Sequence, residues 1–507
     1  MGTLDREGKG IVAALVVIDA YAQNFPVLYA ASRHPLALPT YVGSRYNNTM
    51  SSIRPEPSGR ILFEGDVVVI LPGILGSVLE RNGRQTWGYR QVGLNLSQLS
   101  KRLTEDLTLP PEAFADDPRG FDDGTRSPVA LKTFGIVPGL WAVDGYDRLV
   151  GGLVKRYGIG ATYVFPYDWR QSNRVTAHRL QCFVEPLVEA RRRVYPAAKV
   201  VLVGHSMGGL VARYYATFLD SREYTRRVVT VGTPYSGSIK ALLSLANGPL
   251  RFGPFQLNLA ELVRSLPSVA ELLPVFPCIK LENGSVATPT PDAVPAIAKH
   301  MQHALEFHGH IRRGAAAGAV PYHPIIGHLQ PTERWVRIQN DRVLSDYAPD
   351  LANRGDGTVP RISASPPEWT EDSAAAFLPG RHATLQQRPE TLRQLHGILT
   401  ARPRPPMAAE SEISADAEPF VAYSDVWTIS ANSWDGTDNL ALELRLSRDD
   451  GSQVGQPIPL RPQGCGNYVA KWRASEYGVF RWSVSSIVSA GTPVEPIEDL
   501  VLCSEPH

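Results

Sequence analysis

The sequence predicts an α/β fold, a parallel sheet flanked by helices, followed by a small all-β domain. Three observations carry this. Continuous apolar runs alternate with helically spaced segments from residue 61 onward. A Pro- and acid-rich stretch at 402–418 then breaks the pattern. Beyond it, short alternating stretches separated by turn residues take over. A chain of 507 residues, 43% hydrophobic and 20% charged, has material for more than one domain.

In chain order, residues 1–60 read as an N-terminal extension. Its one apolar run, Ile11–Ile18, is flanked by Asp5, Glu7 and Asp19. A leader peptide wants a basic start, so the run reads as a strand. Residues 61–401 read as the catalytic domain. Val67–Leu71 is wholly apolar and ends in Pro72-Gly73, as expected of a strand buried on both faces. Val143–Tyr157 has helical spacing and Thr162–Phe165 is a second strand. Arg174–Val194 is a helix, Lys199–Val203 a strand, Met207–Leu219 a helix and Arg227–Val231 a strand. The alternation stops at about 237–320, a lid or cap insertion with helices at Leu259–Leu273 and Val294–Ile311 and too long for a plain loop. Strand character returns at Tyr322–His328, and Pro389–Leu399 closes with a helix. Residues 402–418 read as a linker and 419–507 as an antiparallel β-sandwich.

The 51 basic and 50 acidic residues leave a net charge of +1, which argues against a dedicated nucleic-acid binder. Cys182, Cys278, Cys465 and Cys503 match no zinc spacing and are too few for a disulfide framework, although Cys465 and Cys503 could pair in an exported protein. No apolar run reaches the roughly 18 residues of a membrane span. The expectation is a cytoplasmic protein, peripheral at membranes if it meets them at all, with export disfavoured.

The chemistry centres on Gly204-His205-Ser206-Met207-Gly208, between an apolar strand and a helix. The small residues let a sharp strand-to-helix turn lift the serine hydroxyl above the sheet, the arrangement of an α/β-hydrolase fold. A serine needs a base and the base an orienter, in the chain order Ser, acid, His. Asp356, between Gly355 and Gly357, suits a tight turn at the sheet edge; Asp341, Asp346 and Asp350 lack the flanking glycines. His382 follows in a loop before the final helix, whereas His396 lies inside that helix. Backbone N–H groups for an oxyanion are expected from Met207 and from Ile74, in the loop after Val67–Leu71. His323, His328 and the group His300, His303, His308 and His310 lack a matched metal-ligand pattern. No metal or organic cofactor is implied.

Six motifs in order make the chain resemble the lecithin–cholesterol acyltransferase family, which includes lysosomal phospholipase A2. They are VVVILPGILGSVLE (67–80), FPYDWR (165–170), GHSMGG (204–209), GTPYSGSIKAL (232–242), GDGTVP (355–360) and the His382 loop. The resemblance implies Ser206, Asp356 and His382 as the triad, with Ile74 and Met207 as oxyanion donors. It implies a mobile lid over an acyl groove at about 237–275, with Tyr235, Leu242, Leu243, Phe252 and Phe255 at the substrate. Asp168 and Arg170 fit a structural ion pair better than catalysis. Secreted members carry a disulfide beyond the first strand, around a lipid-docking subdomain. Residues 77–130 hold no cysteine, although Trp87 lies where an apolar docking residue is expected. The β-domain has no counterpart in the family.

The expected function is a serine-dependent acyl-ester hydrolase or acyltransferase acting on lipids, of lipase or phospholipase A type, through an acyl-enzyme. Two alternatives stand beside it: a catalytically silent lipid- or protein-binding module on a hydrolase fold, and an esterase for small soluble esters. The partner is a lipid or other acyl ester and no nucleic acid. A protein partner of the β-domain is unidentified. Its Trp427, Trp434, Trp472 and Trp482 are explained mostly by core packing.

Overall fold

The computed structural model describes residues 65–504, apart from 89–95, 133, 138–140, 248–249, 253–254, 258, 316–319, 341, 348–349, 351–352, 370–374, 401–412, 435, 488–493 and 495. The N-terminal extension and its strand at Ile11–Ile18 lie outside the described residues. The described residues fall in one compact unit.

Six strands form the central sheet. They are β1 (Val67–Leu71), β2 (Thr162–Val164), β3 (Val200–His205), β4 (Thr225–Val231), β5 (Tyr322–His328) and β6 (Ala376–Pro379), in the order β6-β5-β4-β3-β1-β2. Every neighbouring pair is parallel. β1 and β3 are buried along their whole length, because the middle of a parallel sheet is covered on both faces. Besides a helix at Leu96–Leu107, the main helices of this part are α1 (Asp147–Tyr157), α2 (Asn173–Arg192), α3 (Met207–Tyr214), α4 (Ile239–Ala246), α5 (Ala298–Ala315) and α6 (Pro389–Leu399). Ser172 caps α2 by accepting a hydrogen bond from the Arg174 N–H at 3.1 Å. The short strand β6 has no counterpart in the sequence reading.

The insertion departs from its reading as a helical cap. Besides α4, α5 and two short helices at Ala260–Arg264 and Pro267–Ala270, it holds a hairpin of Ile279–Lys280 and Val286–Ala287. That hairpin joins Glu333–Gln339 and Arg342–Tyr347 in a four-stranded sheet, so the cap is drawn from both sides of β5. Left-handed turn residues, Gly284 at φ +83° and Asn340 at φ +49°, close the two hairpins.

The C-terminal part contains β7 (Ile413–Ala417), β8 (Phe420–Ala422), β9 (Val426–Ser433), β10 (Leu442–Ser447), β11 (Ile458–Pro459), β12 (Arg461–Gly464), β13 (Asn467–Arg473), β14 (Gly478–Ser486) and β15 (Ile497–Ser504). Two sheets result, β7-β9-β13-β12 and β8-β15-β14-β10-β11. All their pairs are antiparallel except β8–β15. Alternate residues of both sheets supply one core around Trp427, Tyr468, Trp472, Phe480 and Trp482, whereas Trp434 is 48% exposed. The expected linker at 402–418 runs too far: Ile413–Ala417 is the edge strand β7, and 401–412 lie outside the described residues. Its Ile-Ser-Ala-Asp-Ala alternates weakly, and pairing with β9 supplies what its own sequence does not. All four cysteines are free thiols. No helix of the described residues is long and apolar enough to cross a membrane.

Candidate active site

Ser206 stands between β3 and α3 at φ +52°, ψ −124°, a conformation that a residue with a side chain seldom adopts. The flanking glycines make the turn sterically feasible. A Cβ on Gly204 would lie 2.5 Å from the Gly209 Cα, and one on Gly208 would lie 2.4 Å from the Leu71 carbonyl. The elbow is thereby pressed against the end of β1.

Asp356 and His382 reach Ser206 from the last two strands of the sheet. The Ser206 hydroxyl lies 2.9 Å from His382 Nε2, and His382 Nδ1 lies 2.7 Å from Asp356 Oδ2. The network assigns the tautomer: Nδ1–H donates to the carboxylate and Nε2 accepts from the serine. Asp356 Oδ1 accepts the N–H groups of Thr358 at 3.0 Å and Val359 at 2.7 Å. The His382 N–H donates to the Asp356 carbonyl at 2.8 Å, so the two loops are tied through backbone as well. Gly232 keeps this corner open, since a Cβ there would lie 3.1 Å from Asp356 Oδ2 and 3.2 Å from His382 Nδ1. Ser206 is 6% exposed and His382 7%.

A second chain of bonds runs beside the first, and sequence reasoning missed it. The Gly73 N–H donates to the Tyr146 hydroxyl at 2.7 Å, and that hydroxyl bonds His205 Nδ1 at 2.8 Å. His205 Nε2 lies 3.3 Å from the His382 carbonyl. One direction satisfies every group: Tyr146 donates to Nδ1, and Nε2–H donates to the carbonyl. Burial, and secondarily the neighbouring His382, hold the His205 pKa well below the ordinary histidine value, so the ring is neutral as this requires. The residue before the serine in G-x-S-x-G carries no sequence signal for such a role.

The loop after β1 lies against Ser206. A Cβ on Gly73 would lie 2.9 Å from the Ser206 Cβ, and Leu75 is held at φ +62°. Four aromatic side chains brace it. Tyr146 bonds Gly73, and the Tyr167 hydroxyl donates to the Pro72 carbonyl at 2.6 Å. The indoles of Trp87 and Trp169 donate to the carbonyls of Leu75 and Ser77 at 2.8 and 3.1 Å. Trp87 is 1% exposed, which corrects its reading as a docking residue. Ile74 is buried in this loop and Met207 opens α3. Arg170 is buried and pairs with Asp168 at 2.7 Å and Asp123 at 3.0 Å, beneath the loop rather than at the serine.

The residues expected around an acyl chain divide. Tyr235 is buried, its hydroxyl bonded to Thr230 at 2.8 Å and its ring under the Arg213 guanidinium. Leu242 is fully buried in α4 and Leu243 half-buried. Phe252 and Phe255 pair in the hairpin Leu250–Phe252 with Phe255–Leu257; their side chains lie outside the described residues. His396 bonds Tyr157 and Arg156 away from the serine. Asp346 pairs with Arg337 and Lys280 on the cap sheet, Asp350 turns onto the Asn353 N–H, and Asp341 lies outside the described residues. His300 and His308 bond backbone carbonyls of Arg264 and Glu271, and His303 bonds the Glu271 carboxylate. Among the described residues no group of three or more His, Cys, Asp or Glu could hold a metal ion.

A parallel sheet in this order, with a serine on a positive-φ elbow after the third strand, defines an α/β-hydrolase fold. Residues 146–372 match the lecithin:cholesterol acyltransferase family, a span that ends before His382. A human lysosomal phospholipase A and acyltransferase is 29% identical over 260 residues, 44% of this chain and 60% of the relative. The chain is thus similar, over this part of its length, to the lecithin:cholesterol acyltransferase family that its motifs resemble, and it spans 60% of the length of that relative. Among solved structures, a Bacillus licheniformis lipase in its propeptide form aligns with 86% of this chain and 73% of its own, at 14% identity and a TM-score of 0.32. A CARDB domain from Pyrococcus furiosus aligns with 20% of this chain and 96% of its own, at 10% identity and a TM-score of 0.15. The fold assignment rests on the sheet order and not on these two likenesses.

Proposed function

We propose that the chain is a serine-dependent acyl-ester hydrolase acting on lipids, of lipase or phospholipase A type, able to pass the acyl group to an alcohol in place of water. The observation that carries this is the continuous hydrogen-bond series from Ser206 through His382 to Asp356. In this reading His382 Nε2 takes the hydroxyl proton as Ser206 Oγ attacks the ester carbonyl, and Asp356 stabilises the imidazolium. The backbone N–H groups of Met207 and Ile74 receive the charge that develops on the carbonyl oxygen, and the N-terminus of α3 favours the same charge. The imidazolium then protonates the leaving alcohol. The free imidazole deprotonates water or an acceptor alcohol to release the acyl group.

The near-burial of Ser206 and His382 supports a cap that moves. In this reading residues of the insertion at 237–320 shift to admit an acyl chain, and closure afterwards withholds water from the acyl-enzyme. The family relationship supports lipids as the substrate class.

The test is acyl release from vesicles of mixed phospholipid and neutral lipid, with and without a long-chain alcohol, for the wild type and Ser206→Ala. Fatty acid or alkyl ester that disappears with the substitution is expected, and the product ratio separates hydrolysis from transfer. A folded wild type that releases neither product defeats the lipid reading. Turnover of short soluble esters alone would make it a small-ester esterase.

A further inference from the structure

We propose that the C-terminal β-domain completes the active site: strands β7 and β15 position the loop that carries His382 and the turn that carries Asp356. This rests on the hydrolase reading above and assigns the β-domain a catalytic contribution through positioning rather than through a partner.

The loop from Gly380 to Arg388 contains one short helical turn, Leu385–Gln387, and is held on its inner side by the Gln386 and Gln387 amides, which donate to the Gly145 and Asp144 carbonyls at 3.0 and 2.7 Å. Its outer side is bonded to the β-domain. Arg381, next to His382, is 9% exposed; its Nε donates to Asp499 of β15 at 3.0 Å. Its Nη1 donates to the carbonyl of Ala415 in β7 at 3.3 Å and lies 3.5 Å from the Asp416 carboxylate. The Thr384 hydroxyl donates to the Glu498 carbonyl at 2.8 Å, and the Arg388 guanidinium donates to the Pro496 carbonyl. The histidine is thus flanked on both sides by residues anchored to β15 or the residue before it.

The acid turn is held from the same strands. Gln330 donates its N–H to the Gly355 carbonyl at 2.9 Å, while its side-chain oxygen accepts the Ala415 N–H at 3.1 Å. The Arg381 guanidinium lies against Gly357, where an added Cβ would be 3.1 Å from its Cζ. A third tie reaches the Tyr146 segment. Arg481 of β14 pairs with the buried Asp144, whose N–H donates to the Ala383 carbonyl at 2.9 Å. Residues supplied by one domain therefore fix the distance between the base and its orienter in another. A displacement of about 1 Å at such a site can lower the rate about a hundred-fold.

Arg381 and Thr384 are positioning residues, and the test must separate position from mere folding. Full-length Arg381→Met, Thr384→Val and Asp499→Asn are assayed on a short soluble ester beside their melting curves. The expected result is a kcat lowered about a hundred-fold for Arg381→Met, with KM within about two-fold and a single melting transition retained. Arg381→Lys regains part of the loss, and Thr384→Val shows a smaller fall of the same kind. Arg448→Met, which removes the Arg448–Glu476 pair within the β-domain, leaves kcat unchanged. If Arg381→Met fails to fold, Thr384→Val and Asp499→Asn decide by the same criterion. An unchanged kcat in folded variants, or a rise in KM alone, overturns the proposal while the hydrolase reading stands. A wild type without Ser206-dependent turnover overturns the hydrolase reading and this proposal with it.

Discussion

Tyr146 carries more than its place in the sequence suggests. Its hydroxyl accepts from Gly73 beside the nucleophile and bonds His205, which leads to the backbone of His382. Tyr146→Phe keeps the ring and leaves a buried N–H without its acceptor. The expected outcome is a loss of about 1–3 kcal/mol in urea unfolding and a kcat about tenfold lower. If both quantities hold at wild-type values, the relay is idle. For the triad itself, Ser206→Ala, His382→Ala and the double variant should share one residual rate, because groups that act as a unit are not additive. A double variant clearly slower than either single would separate the two residues. Serine, acid and histidine could be singled out in the sequence because their motifs carry their own turn chemistry: glycines flank Ser206 and Asp356, and chain order selects His382. Tyr146 and His205 could not, since nothing local marks a residue whose partners lie 73 and 177 positions away.

The loop between β1 and Trp87 behaves as one braced element. Trp87→Phe removes the bond from the indole to the Leu75 carbonyl but keeps most of the ring contact with Trp169. It should destabilise by about 1 kcal/mol and leave vesicle binding untouched. Co-sedimentation with vesicles that falls on this substitution would restore a docking role to Trp87. The buried strands were legible because continuous runs such as Val-Val-Val-Ile-Leu fit only a doubly covered sheet. The cap sheet was not, because Ile279–Lys280 and Val286–Ala287 are two residues each and gain strand character from partners beyond β5. The edge strand β7 was hidden in the same way among linker-like residues.

At the scale of the whole molecule, buried neutral histidines set the acid limit. Burial lowers the pKa of His308 to about 4; burial, aided by the nearby Arg361, lowers that of His328 to about 4. Burial lowers that of His205 in the same sense. The unfolded chain binds these protons near pH 6.5 and the folded one does not, so stability is present above that pH and lost as pH falls below it. Each such histidine contributes a slope of about 1.4 kcal/mol per pH unit between about pH 6.5 and its folded value. Asp144, whose carboxyl burial pushes well above the usual range, works in the opposite sense and opposes only part of this. Urea midpoints measured from pH 7.5 to 5 should therefore fall, and a flat profile would mean that the rings are protonated in place. Catalytic and β-domain parts should melt in one transition, since the Arg481–Asp144 and Arg381–Asp499 pairs join them. In the sequence the two parts read as separate, because a proline-rich stretch looks the same whether or not the parts it joins are docked. These contacts also set an order in time. Ser206, Asp356 and His382 all leave the ribosome before residues 497–504, the strand that bears Asp499. A nascent chain thus carries Ser206 through synthesis before the strand that, in the proposal above, aligns its base has emerged to dock.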